Sequence, residues 1–156
     1  ENRKLRNEDF KNDKIDAGEL GIGHTVTAIY EIIPAGSDSD FSPQDVDLKY
    51  SKNDSKNEFG DELATVKFRY KNPDEDVSRV LIQTIKDSKN QLNSASSDFK
   101  FASSVAWFGL VLRQSEFIKD KDLDKMINLA KQGKFNDEDG YRSEFIRLIE
   151  SYKQIK

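Results

Sequence analysis

The chain has 156 residues, with 25 Lys and Arg against 29 Asp and Glu and a net charge of −4. That length suits one domain with a real core, or two small lobes sharing one. Charges of both signs are interspersed, which disfavours a basic nucleic-acid face; the absence of Cys removes disulfides, thiol catalysis and zinc–thiolate sites; and no apolar run approaches the roughly 20 residues that span a bilayer.

Hydrophobic and charged residues each make up 35% of the chain, and ten Phe, five Tyr and one Trp supply core material. The opening "ENRKLRNEDF" has neither an initiator Met nor a signal peptide and reads as the middle of a longer protein. Residues 1–20 are charged, with Leu5, Phe10 and Ile15 spaced sparsely among them.

Next comes "DAGELGIGHTVTAIYEIIP", with three of the eight glycines and the single histidine. A dinucleotide loop needs G-x-G-x-x-G after a strand and before a helix, and a P-loop needs Gly-Lys-Ser/Thr. Gly18, Gly21 and Gly23 match neither, and are expected to form a turn leading into a strand. His24 has no second His or Cys to share a metal and is expected to take a nearby backbone or carboxylate hydrogen bond. From 24 to 33, Val26, Ala28, Tyr30 and Ile32 alternate with Thr25, Thr27, Ile29, Glu31 and Ile33, which predicts a strand closed by Pro34.

"VDLKY" predicts a short strand over 46–50, beyond the turn material of "PAGSDSDFSPQD". The "SDSDFS" run lacks the spacing of a divalent-cation site and reads as loop. Over 63–70, "LATVKFRY" puts Ala64, Val66, Phe68 and Tyr70 on one face and Thr65, Lys67 and Arg69 on the other. A turn at "KNPDED" then leads to a strand over 77–85, giving an antiparallel hairpin.

Beyond Lys86 the pattern becomes helical. Ser96 or Ser97 caps a helix over 98–114 whose apolar row is Phe101, Val105, Phe108 and Leu112. Ala102, Ala106 and Gly109 extend its apolar character around much of the circumference, which predicts a central helix. Helices over 121–132, with Leu123, Met126, Ile127 and Ala130, and over 140–154, with Tyr141, Phe145, Leu148, Ile149 and Tyr152, complete the set. The acids of "DKDLDK" and "NDEDG" read as helix N-terminal acids, because "DKDLDK" lacks the Gly and Glu that an EF-hand loop requires. Arg142 and Arg113 are expected to pair with acids such as Asp98 or Glu144. Strands first and helices later describe an α+β domain, with a β-rich part over 1–86 packed on a helical part over 97–156.

Four stretches, "NEDFKNDKIDAGELGIGHTVTAIYEIIP", "LATVKFRYKNPDED", "SDFKFASSVAWFGLVLRQS" and "GYRSEFIRLI", together resemble the C-terminal region of bacterial proteins built around a von Willebrand factor type A domain. That region directly follows the metal-binding domain and is a family of unknown function. The resemblance implies an exported or envelope-anchored parent, periplasmic or surface-exposed as a lipoprotein. The adhesion-site motif of the type A domain is absent from this chain, so no metal ligand and no cofactor is carried over.

The expectation is therefore a non-catalytic accessory module. Its partners would be the adjacent type A domain and an envelope protein, without nucleic acid and without a membrane span in this chain. Asp16, Gly18, Glu19, Gly21, Gly23 and His24 are the candidate interdomain contact. Two alternatives stand beside it. One is a small-ligand or glycan-binding domain using Tyr30, Tyr50, Tyr70 or Trp107 as a stacking surface. The other is a hydrolase built on a carboxylate pair, since 29 acids leave room for one although no G-x-S-x-G elbow is present.

Overall fold

The computed structural model describes residues 12, 14, 18–34, 37, 60–88 and 90–155. They form an antiparallel hairpin of β1 (Glu62–Tyr70) and β2 (Arg79–Lys86), followed by three helices, α1 (Ser97–Leu112), α2 (Leu123–Gln132) and α3 (Tyr141–Ile155). This is the α+β class expected. The chain divides into two compact units, one holding the hairpin and one holding the helices.

In the hairpin, Phe68 faces Leu81, Tyr70 faces Arg79 and Ala64 faces Ile85, with an irregularity between Glu62 and Ala64. Side chains alternate across a strand, so Ala64, Val66, Phe68 and Tyr70 share a face with Leu81 and Ile85. The opposite face carries Lys67 and Arg69 beside Ile82 and Val80. Asn-Pro-Asp makes the turn, as the sequence predicts. The Glu75 amide donates to the Asn72 carbonyl at 3.2 Å, and Asp74 takes a φ of 63°. A β-turn with positive φ at its third position is open to Gly, Asn and Asp, and Pro presets the position before it.

The predicted strand over 24–33 does not form. Residues 24–34 run as exposed irregular chain. Alternation shows only that a segment would suit a strand if an edge were offered to it, and the described sheet contains β1 and β2 alone. The strand predicted over 46–50 lies outside the described residues.

Ser96 caps α1, its Oγ accepting from the Phe99 amide at 3.1 Å. Asp122 caps α2 by accepting from the amides of Asp124 and Lys125 at 2.9 and 3.2 Å. Each cap satisfies amides that the first helical turn leaves without partners. At α3 the residue before the first turn is Gly140, which has no side chain to cap with, and Asp137 reaches over instead. Its carboxylate accepts from the amides of Arg142 and Ser143 and from the Ser143 hydroxyl.

The core of the helical unit is Phe108 and Val111 from α1, Met126, Ile127 and Ala130 from α2, and Ile146 and Ile149 from α3. Edge-to-face rings tie α1 to α3: Phe101 to Phe145, Phe108 to Phe145 and Phe108 to Tyr152, with centroids 5.4, 5.9 and 5.4 Å apart. The α2 stripe is the one the sequence predicts. On α3 Ile146 and Ile149 are buried and Phe145 and Tyr152 half-buried against the core, while Tyr141 and Leu148, expected inside, are exposed. On α1 the buried row is Ser104, Phe108 and Val111. Val105 and Leu112 lie on an exposed side, so α1 is not enclosed on all sides as its composition predicts.

Candidate functional site

Gly21, Ile22, Gly23 and His24 form a tight turn, with the His24 amide donating to the Gly21 carbonyl at 3.1 Å. Gly23 has a φ of 78°, which is where glycine is needed. His24 Nδ1 lies 3.3 Å from the Ile22 carbonyl. The turn and the backbone contact match expectation; the strand they were to introduce does not form. Gly18 and Glu19 are exposed irregular chain before the turn, and Asp16 lies outside the described residues. The turn presents one imidazole to solvent, and its one hydrogen-bond contact among the described residues is the Ile22 carbonyl.

The acids around 120–125 are each engaged. Asp120 pairs with Lys125 at 2.7 Å, Asp122 caps α2, and Asp124 accepts from Lys153 at 2.6 Å. The Lys125 ammonium, and then the Asp122 amide, hold the Asp120 carboxyl below its ordinary range, and Asp120 in turn raises Lys125. Asp137 is held low first by the Ser143 hydroxyl and then by the amides of Arg142 and Ser143, with the charge of Lys134 adding to this. These are helix-end and ion-pair arrangements. Among the described residues no group of three or more His, Asp or Glu side chains converges as metal ligands would.

The candidate stacking aromatics do not come together either. Trp107 is half-buried against the core, and its indole N–H donates to the Asp120 carbonyl at 2.8 Å. Tyr70 stacks on Phe68 along the same strand face, with centroids 6.1 Å apart. Tyr30 is exposed in the irregular segment, and Tyr50 lies outside the described residues.

Two features stand out that the sequence reading did not single out. The first is a polar knot in the helical unit. Arg142 donates to the Gly133 carbonyl at 2.6 Å, to the Phe135 carbonyl at 3.3 Å and to Asp98 at 2.5 Å, while its guanidinium lies 4.9 Å from the centre of the Phe101 ring. The expected Arg142–Asp98 pair is present, and the two carbonyls and the ring are additional to it. The planar fork of Arg suits this combination and an ammonium would not. The knot fastens three helix ends.

The second is the hairpin surface. Val66, Phe68 and Leu81 are exposed on one face and Val80 and Ile82 on the other, with Phe68 at 57%, Leu81 at 58% and Ile82 at 63%. A sheet that ends in solvent carries apolar side chains on one face at most. Here the face of Val66, Phe68 and Leu81 is apolar and open to solvent, while on the other Val80 and Ile82 stand among Thr65, Lys67, Arg69 and Thr84. The alternation of 63–70 and the unbroken "VLI" of 80–82 carried that signal, but its meaning depends on what lies against the hairpin, which no local pattern states.

Comparison with known proteins adds family and length. The family described as "Uncharacterized protein YfbK, C-terminal" matches residues 1–155. The chain is 34% identical over 152 residues to the "Uncharacterized protein YfbK" of Escherichia coli strain K12, covering 96% of this chain and 25% of that relative. It thus spans about a quarter of the curated relative it matches. No solved structure matches.

Proposed function

The chain belongs to the family of the YfbK C-terminal region, and from that premise we propose that it is a non-catalytic accessory module that docks through its hairpin onto a neighbouring von Willebrand factor type A domain in the cell envelope. The observation that carries the reading is the exposed apolar face of the hairpin, with Val66, Phe68 and Leu81 open to solvent. An isolated two-stranded hairpin is marginal in water and needs a third strand or a packed face to be stable. Exposed contiguous apolar surface rimmed by polar groups marks a protein contact, and here Arg79 and Gln83 border Phe68 and Leu81 on that face. The resemblance of the sequence to the region after a type A domain supports that domain as the neighbour. The Gly21–His24 turn is assigned to the same contact, and faster hydrogen exchange over 18–24 in the isolated chain than in the longer protein would support that assignment.

The test is calorimetric titration of this chain against the type A domain of the same full-length protein, with and without Mg²⁺. Micromolar binding that is lost in Phe68→Lys and Leu81→Lys, two exposed positions whose change leaves the helical core untouched, is the expected result. No heat in either condition would overturn the reading and move the search to free glycans and peptides.

A further inference from the structure

The exposed side of α1 has a pattern of its own. Along it run Phe99, Val105 and Leu112, 49%, 41% and 50% exposed, with the small residues Ala102, Ala106 and Gly109 half-buried between them. A helix bordered by water on one side ordinarily places polar residues there. Gly109 is the sharper anomaly. It sits inside the helix, where glycine is worse than alanine, and a Cβ added to it would meet nothing within 4 Å. Nothing described in its own fold uses the missing methyl group.

The order of residues on this side is self-complementary. About the midpoint between Val105 and Ala106, Phe99 mirrors Leu112, Ala102 mirrors Gly109 and Val105 mirrors Ala106. If two copies of α1 lie antiparallel across a twofold axis at that midpoint, large residues close the ends and the smallest meet between them, allowing the two backbones to approach. The same operation sets Asp98 of each copy opposite Arg113 of the other. Asp98 keeps 78% of its side chain exposed despite its bond to Arg142, and Arg113 is exposed at the helix end. Opposite charges therefore fall at both ends of the contact, and the helix dipoles align favourably. A twofold interface requires one patch that complements itself, and this patch does so in size and in charge.

We propose that the chain forms a symmetric homodimer through an antiparallel pairing of α1 across Ala102, Val105, Ala106 and Gly109. This contact uses a different surface from the hairpin docking described above, so either can fail without the other.

The absence of native cysteine makes every introduced thiol the sole one in its chain. In the antiparallel pair Ala102 of one copy lies level with Gly109 of the other, while two copies of Ala102 are offset by seven residues, about 10 Å along the axis. A disulfide needs Cα atoms within about 7 Å. A mixture of Ala102→Cys and Gly109→Cys chains should therefore oxidise to a mixed dimer, and neither variant alone should do so to a comparable extent. Sedimentation of the unmodified chain should show a dimer, and Arg113→Glu should raise its dissociation constant at least several-fold at low salt while helical circular dichroism stays unchanged. A monomer at 100 µM would overturn the proposal, as would cross-linking of Ala102→Cys alone as efficient as that of the mixture.

Discussion

Replacing Gly133 by alanine sets two physical arguments against each other. Gly133 follows α2 with a φ of −88°, a conformation that any residue adopts. By backbone entropy alone, alanine there should stabilise by about 0.4–1 kcal/mol. The surroundings say the opposite. A Cβ at this position would lie 2.5 Å from the Phe101 amide nitrogen and 2.7 Å from its Cβ. Ordinary contact begins near 3.4 Å, so α1 and the end of α2 must separate by up to about 0.9 Å. A gap of that size forfeits a quarter to a half of the attraction of each contact it opens, and Phe108, Val111, Met126 and Ala130 lie along this packing. It also pulls the Gly133 carbonyl from Arg142. We expect a net loss of about 2–4 kcal/mol. Urea unfolding followed by helical circular dichroism measures it, and Gly109→Ala is the matched control. There the added methyl meets open space within the chain, so at a concentration low enough to keep the chain monomeric the same change should stabilise it by about 0.5–1 kcal/mol. Equal signs for the two substitutions, or a Gly133→Ala chain as stable as the original, would refute the reasoning.

Three further outcomes follow from the same unit. Arg142→Leu should cost about 2 kcal/mol, because two carbonyls lose a charged donor and Phe101 loses its cation; Asp98→Ala should cost about 1 kcal/mol or less, since its side chain is largely solvated, and chemical denaturation separates the two. Ser96→Ala should lower stability by about 1 kcal/mol through the lost α1 cap, with earlier exchange of the Phe99 amide. The Asp137 carboxyl is held below its ordinary value of 3.8 in the folded chain; its stabilisation is complete above that value and is lost as pH falls through the lower folded value. Acid titrations of the original chain and of Asp137→Asn should therefore converge as pH drops below about 4, and curves that stay parallel would count against the capping role.

The parts of the fold legible in the sequence are those settled by neighbours a few residues away. Alternation over 63–70 and the Asn-Pro-Asp turn give the hairpin, and Ser96 and Asp122 announce their helices through side chains that bond amides two or three residues on. What was not legible depends on distant partners. The 24–33 segment has a strand's alternation, but alternation does not choose a partner, and the described sheet pairs β1 with β2 alone. Tyr141 and Leu148 fit a helical stripe, but the buried row is set by where Phe101 and Phe108 meet Phe145 and Tyr152. Gly133 reads as a helix stop and does cap α2, but nothing local shows that its small size also serves the close approach of Phe101, 32 positions earlier in the chain. The candidate contact residues at 18–24 showed their turn and not their neighbour, because a docking surface is defined by the partner it meets.

The single Trp sits at residue 107, wedged beneath the Asp120 carbonyl in the helical unit. The molecule therefore carries an optical meter for one of its units and none for the other. Indole emission will report the melting of the α1–α2 packing, where Trp107 sits. An unfolding curve recorded only by tryptophan fluorescence would look cooperative even if half the chain had already come apart, and a tyrosine-quenching or strand-amide signal recorded beside it would show whether the two units melt together.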